Sequence, residues 1–325
     1  MTEQIRVGVI GAGLVGGLHI HGYESAGAKV VAVVDVNRAS AEATAKPSNA
    51  NVYTNYEEML ANEELHAISV CSPPSTHRSA AIAGAQRGLA VLCEKPLAES
   101  TASARELADA VSATGVPFMV GFFHRFHDPL VKLRQLVLEG TFGRPNVVRS
   151  RFSLIGRDDK RPWASDVAIA GGGAVMNSAV HSLDIVRFLT GAEASVKGTV
   201  LSSRGTAGAL EDTAIILLSG ANGDLAIVEA YGGAPFKTYE LWLEGPRGEA
   251  TVSWDPPGLQ LRTVGQEDWS KLPTGASTAL ERIDRGIAYF CSCVSEGRQV
   301  EEATGADGVR AIEMAQSAYQ AAEAT

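Results

Sequence analysis

Three groups of residues in this chain have the types and spacing to do chemistry. The first is Gly11-Ala12-Gly13-Leu14-Val15-Gly16, directly after the apolar run Val7–Ile10. Glycines so spaced have separate roles: Gly11 permits a tight turn, Gly13 lets the backbone approach a bound group, and Gly16 lets the following helix pack on the strand. Amides at the start of that helix, around Leu14 and Val15, suit a pyrophosphate. Asp35 ends the next apolar run, 19 residues after Gly16. A carboxylate there accepts from an adenosine ribose 2′-OH and repels a 2′-phosphate, which predicts NAD. Arg38 lies three residues on and offsets that repulsion, so NADP stays open. The second group stands at the ends of two later apolar runs: Cys71-Ser72-Pro73-Pro74-Ser75-Thr76-His77 and Cys93-Glu94-Lys95-Pro96. Open α/β sheets bind ligands at such strand ends, so Ser72, Pro73, His77, Glu94 and Lys95 are expected to border the cofactor. A lysine beside a glutamate can also carry a tuned proton. On charge alone, Glu94-Lys95 reads more readily as a solvated surface pair. In the third group, Gly171-Gly172-Gly173 opens a helical pattern in which Asn177, His181 and Asp184 recur at i, i+4 and i+7. That spacing predicts one polar face, a pocket wall, with Leu183, Val186 and Leu189 turned to a core.

The elements that must hold these groups follow from periodicity. Arg6–Ile10, Lys29–Val34, Ala67–Cys71, Leu89–Cys93 and Pro117–Gly121 read as buried strands. Amphipathic stretches between them, such as Leu14–Ala26 and Ser100–Ala113, read as helices. That alternation predicts a doubly wound parallel sheet. After Phe123 and one more helix, Asp128–Leu138, the pattern changes to longer strands, with Ala221-Asn222-Gly223-Asp224 as a hairpin turn. The expected division is residues 1–122 for the dinucleotide and 123–325 for an α+β domain with an open, mainly antiparallel sheet, closed by helices at Thr278–Glu296 and Ala306–Ala322.

Composition narrows the partners. The chain has 325 residues, 45% hydrophobic and 20% charged, so disorder and fibrous classes are excluded. A net charge of -9 disfavours nucleic acid and anionic membrane surfaces. Four cysteines make no disulfide framework, and no signal peptide or spanning segment stands out, so a cytoplasmic protein is expected. His19-x-His21 and Cys291-x-Cys293 have neighbours two apart that face different ways on a helix; no metal site is predicted. His124 and His127 are balanced between substrate contact and packing, whereas Lys237 and Tyr239 favour packing.

Taken together, these residues resemble the Gfo/Idh/MocA oxidoreductase family. The resemblance rests on the glycine fingerprint, Pro73 to His77, Glu94-Lys95-Pro96, and the glycine triplet leading to His181. It implies a Rossmann domain followed by an open-faced α/β domain, with the active site between them. It further implies that Lys95 and His181 are catalytic and line the substrate site, and that Asp184 holds a substrate hydroxyl. Arg125 and Trp163 would approach the nicotinamide end or the substrate. Two departures stand out. Asn177 occupies a place where the family often has aspartate, so no charge sits there beside His181. Trp163-Ala164 replaces a frequent Trp-Arg pair, so a substrate-gripping arginine is either missing or supplied by Arg157 or Arg161. The implied reaction is NAD(P)-dependent oxidation of a ring secondary alcohol in a sugar, sugar derivative or cyclitol. The alternatives are a glycosidase turning over redox-neutrally on held NAD, and a non-catalytic NAD(P) sensor. An open sheet face also predicts a homodimer or homotetramer through the second domain.

Overall fold

The computed structural model describes residues 4–155, 162–203, 210–220, 223–275 and 277–323. The chain divides into two compact units, Met1–Phe123 with Ala279–Val309, and His124–Thr278 with Arg310–Thr325.

In the first unit the strands are β1 (Arg6–Ile10), β2 (Lys29–Val34), β3 (Asn51–Tyr53), β4 (Ala67–Val70), β5 (Ala90–Cys93) and β6 (Phe118–Val120). Helices α1 (Leu14–Ser25), α2 (Arg38–Ala45), α3 (Tyr56–Asn62), α4 (Pro74–Ala85) and α5 (Thr101–Ser112) join them. The six strands are parallel in the order β3-β2-β1-β4-β5-β6. That order reverses beside β1, which creates the crevice where dinucleotides bind such sheets. The central strands are buried along their whole length, as a sheet covered on both faces requires. The short strand β3 and helix α2 are additions to the sequence reading. Asn51–Tyr53 has no fully buried residue and hence no alternation to read. Helix α2 is alanine-rich with a weak apolar stripe and is started by the Asn37 side chain, which accepts from Ser40 N at 3.2 Å.

The second unit has α6 (Asp128–Leu138), β7 (Val147–Ile155), α7 (Val167–Ala170) and α8 (Val180–Thr190). Strands β8 (Ala194–Ser202), β9 (Thr213–Gly220), β10 (Leu225–Ala234), β11 (Thr238–Gly245), β12 (Gly248–Trp254), β13 (Pro257–Thr263) and β14 (Ser270–Leu272) follow. They form one mixed sheet, β14-β13-β12-β11-β7-β10-β9-β8, antiparallel except where β7 pairs with β10. Helices α6 and α8 pack on it. The expected hairpin joins β9 to β10 with Gly220 N donating to Asp224 O at 2.8 Å; Ala221 and Asn222 lie outside the described residues. On β9, Ala214, Ile216 and Leu218 are buried while Ile215 and Leu217 are exposed, so one face of the sheet is open.

Helices α9 (Ala279–Glu296) and α10 (Gly305–Glu323) end the chain. The sequence reading assigned both to the second domain. Instead, Ala279–Val309 belongs to the first unit. Helix α9 lies along α1, where a Cβ at Gly22 would stand 2.6 Å from Ile287 Cδ1, and His21 Nδ1 lies 3.1 Å from Asp284 Oδ1. An amphipathic stripe states that a helix has a partner, not which one.

Candidate active site

In the first unit, Gly11 has φ +105°, and a Cβ there would lie 2.6–2.7 Å from the backbone of Cys71 and Ser72. Only glycine fits on both counts. A Cβ at Gly16 would run into the Gly11 carbonyl, whereas one at Gly13 would meet nothing within 4 Å. No side chain caps α1, so the amides at Leu14 and Val15 open the helix without a protein acceptor from a cap. Asp35 accepts from Ala12 N at 2.9 Å and from Asn37 N at 2.8 Å, which locks the glycine loop to the end of β2. Each carboxylate oxygen keeps acceptor capacity for a ribose hydroxyl. These residues fit a dinucleotide: open space at Gly13, uncapped amides, and an oriented acid one strand away. Arg38 is exposed and lies 3.7 Å from Glu42.

Ser72, Pro73 and His77 are drawn together by the His77 ring, which is buried. Its Nε2 lies 2.7 Å from Ser72 O, and its Nδ1 lies 3.1 and 3.2 Å from the carbonyls of Pro96 and Leu97. Burial holds the His77 pKa below the ordinary value, against the pull of those carbonyls. The ring therefore ties the loop after β4 to the loop after β5, where the Lys95–Pro96 peptide is cis.

Glu94 is not a solvated partner of Lys95. Its carboxylate is buried, with Oε1 3.0 Å from His19 Nε2 and Oε2 accepting from Lys95 N at 3.0 Å. His19 Nδ1 lies 2.6 Å from Ser69 Oγ on β4. Burial opposes a charge on either ring or carboxylate. For His19, the Cys71 sulfur and the Glu94 carboxylate more than offset it and push the pKa up to about 10. For Glu94, the bond and charge of His19 and the charge of Lys95 hold the pKa below the usual carboxylate range. His19, dismissed as a metal ligand, is thus the residue that orders Glu94 and, through it, the backbone of Lys95.

In the second unit, His181 lies on α8 in an aromatic cluster. Its ring centroid is 4.6 Å from that of His124 and 5.7 Å from Phe152, both edge-on. Tyr239 is 4.6 Å from His124 and stacks on Trp254 at 3.9 Å. His127 has a structural role: it stacks on Trp254 and lies 2.8 Å from Ser277 Oγ and 3.0 Å from Ser253 O. Leu183, Val186 and Leu189 are buried. The helical face differs from the expectation, because Val175–Ala179 is a π-helical turn feeding α8. Its hydrogen bonds span five residues rather than four, so the i, i+4, i+7 stripe is broken. Asn177 is exposed on that turn, while His181 and Asp184 are buried.

Asp184 and Arg125 take up each other. Arg125 Nε donates to Asp184 Oδ2 at 2.9 Å and its NH2 group to Oδ1 at 2.6 Å, with both side chains at most 6% exposed. The guanidinium also lies 5.2 Å from the centroid of the Phe188 ring. The two side chains thus form a buried two-pronged pair. Trp163 sits half-buried in a short turn, Pro162–Ser165; Arg157 and Arg161 lie outside the described residues. Lys237 is exposed.

Sequence reasoning missed Glu211 and Tyr319. Glu211 accepts from Gly173 N and Val175 N, each at 3.0 Å, and from the Tyr319 hydroxyl at 2.6 Å. Neither carries a motif; the glycine triplet facing them was the available signal.

Comparison with known proteins agrees with both halves. A family described as "Oxidoreductase family, NAD-binding Rossmann fold" matches residues 5–122, and a GFO/IDH/MocA C-terminal domain matches residues 130–251. The chain belongs to the Gfo/Idh/MocA oxidoreductase family. Residues 5–122, within its first unit, match that family's NAD-binding Rossmann domain. Inositol 2-dehydrogenase 2 of Paenarthrobacter aurescens strain TC1 is 36% identical, over 71% of this chain and 70% of its own. Among solved structures, GenD2 from gentamicin A biosynthesis in complex with NAD superposes with a TM-score of 0.87 at 25% identity, covering 99% of this chain and 95% of its own. Levoglucosan dehydrogenase with NADH and levoglucosan has the same fold, with a TM-score of 0.91 at 22% identity, covering 99% and 98%. Among the described residues, no helix is long and apolar enough to cross a membrane, and no group of histidine, cysteine and acidic side chains could hold a metal.

Proposed function

We propose that this member of the family oxidises a ring secondary alcohol of a sugar, sugar derivative or cyclitol, with His181 as general base and Lys95 as its partner. The reading is supported by one observation: both halves match the family, with Lys95 inside the first matched stretch and His181 inside the second. Residues 1–122 hold the NAD, on the amides at Leu14 and Val15 and with Asp35 on the ribose. The remainder, without Ala279–Val309, takes the substrate and forms a homo-oligomer in the cytoplasm. Bound NAD supplies the acceptor for the two electrons of the carbinol C–H bond.

The chain's own residues supply the rest. His181 takes the hydroxyl proton as the carbonyl forms. Lys95 donates to the same oxygen and stabilises charge that develops there. Asn177, exposed on the π turn, orients a neighbouring hydroxyl, and a site built for hydroxyls rejects analogues lacking them. Asp184 and Arg125 support α8 from behind, and Trp163 flanks the nicotinamide end. NAD and NADP reduction assayed against inositols, aldoses, sugar acids and glycosides is expected to find turnover with NAD on a polyol. Lys95→Ala and His181→Asn are each expected to lose at least a hundredfold in kcat, within the range of proton-transfer catalysis. NAD binding should stay within twofold. Full turnover in Lys95→Ala would remove its assigned role, and turnover without net reduced cofactor would favour the redox-neutral glycosidase.

A further inference from the structure

Two of the three glycines that open the His181 helix, Gly172 and Gly173, are packed against protein side chains. A Cβ at Gly173 would stand 2.9 Å from the Glu211 carboxylate, and one at Gly172 would stand 2.8 Å from Tyr319 Cζ. Glu211 reaches this turn from the segment before β9, 36 residues away from Val175 in sequence. Its Oε1 accepts from Gly173 N and Val175 N at 3.0 Å, and its Oε2 accepts from Gly173 N at 3.2 Å. Its own carbonyl accepts from Ala174 N at 2.9 Å. Three successive amides at the start of a helical run, which have no partner within the helix, are therefore gathered by one residue. A carboxylate is also the favoured charge at that end of a helix dipole. Tyr319, from α10, braces the carboxylate through its hydroxyl at 2.6 Å. Burial, and then the Glu211 charge, hold the Tyr319 pKa well above its usual value, so the phenol remains a donor. The turn so anchored runs through Asn177 into His181.

We propose that Glu211, braced by Tyr319, is a positioning residue that fixes the π turn and thereby the orientation of His181 and Asn177. This rests on the reading of His181 as the base. Loss of the carboxylate frees the amides of Gly173 and Val175, while Ala174 N stays on the Glu211 backbone carbonyl, and lets the turn re-form as an ordinary α-turn. Relative to a π turn, that change rotates every side chain before His181 by most of a residue.

Three substitutions test this in the full chain. Glu211→Ala is expected to lower kcat by tenfold or more on the best substrate of the panel, with KM for NAD within twofold. Glu211→Gln keeps an acceptor oxygen for Gly173 and Val175 and should recover part of that loss. Tyr319→Phe leaves the amides bound to the carboxylate and should lower kcat a fewfold. The independent readout is the His181 imidazole resonance in the cofactor-free protein, assigned by its disappearance in His181→Asn. It should move in all three variants, and it can be read in Tyr319→Phe if the Glu211 variants fail to fold. Wild-type kcat in Glu211→Ala, or a lowered kcat with the His181 resonance unmoved, overturns the proposal. If His181→Asn itself turns over normally, the reading of His181 as base fails, while the resonance still decides whether Glu211 positions it.

Discussion

Two charges face one another where burial should be most costly. Asp184 and Arg125 are nearly inaccessible, bonded at 2.6 and 2.9 Å, and neither has water to fall back on. Removing one partner of such a pair leaves an uncompensated buried charge, which costs roughly 3–5 kcal/mol. Asp184→Asn is therefore expected to lose about that much stability to denaturant while KM for substrate changes little. Replacing both, as Arg125→Met with Asp184→Leu, should regain most of it, because an apolar pair of similar volume avoids the desolvation. A raised KM at unchanged stability would instead assign Asp184 to the substrate. The residue types and spacing of Asp184 were visible in the sequence. Its partner was not, since Arg125 lies 59 residues earlier on another element. The same limit applies to Glu211 and Tyr319, which meet across 108 residues.

At the scale of elements, the fingerprint was legible because it is local: β1, the glycine loop and the start of α1 are continuous in sequence, and Asp35 ends the next strand. What binds the elements to each other was not. His19 on α1 reaches Ser69 on β4 and Glu94 after β5, a buried polar thread through three elements. Its pKa is about 10 in the folded chain against an ordinary 6.5. The stabilisation from this proton is fully present below pH 6.5 and is lost as pH rises through about 10. Across that window unfolding releases one proton, ~1.4 kcal/mol per pH unit. Glu94 has the opposite sign: its lowered pKa contributes stability above 4.5 that disappears as pH falls. Thermal melting is thus expected to be highest between those limits and to fall on the alkaline side, and His19→Gln should flatten that alkaline fall. Parallel melting curves for the two proteins would show that His19 carries no such linkage. The elements that escaped the sequence reading, β3, α2 and β14, are short and present little apolar pattern. The π turn was hidden for a different reason, since its geometry depends on a carboxylate brought in from afar.

For the whole molecule, the question left by the fold is what covers the open face of the second unit's sheet. Register places its outward residues in rows. Trp242, Arg149, Ile227 and Leu217 lie side by side across β11, β7, β10 and β9, and Glu240, Arg151, Glu229, Ile215 and Val200 form the next row, which reaches β8. Leu217, Ile215 and Val200, 47%, 38% and 68% exposed, adjoin across β9 and β8, while Trp242, 46% exposed, stands beyond Arg149 on β11. Arg149 and Glu229 are paired at 2.5 Å within these rows, so the face is not uniformly oily but presents apolar rows with a neutralised polar centre. Such a patch suits a permanent, self-complementary contact better than a passing one, and two copies related by a two-fold axis would bury the same rows against each other. Light scattering coupled to gel filtration is expected to give a dimer or tetramer mass. Leu217→Asp with Val200→Asp should give the monomer, because each introduces an unpaired charge into the contact while leaving the buried face of β8 and β9 untouched. The altered residues face away from Ala214, Ile216 and Leu218, so the second unit should still fold. A monomeric wild type, or a double variant that stays assembled, would mean that this face is not where the copies meet.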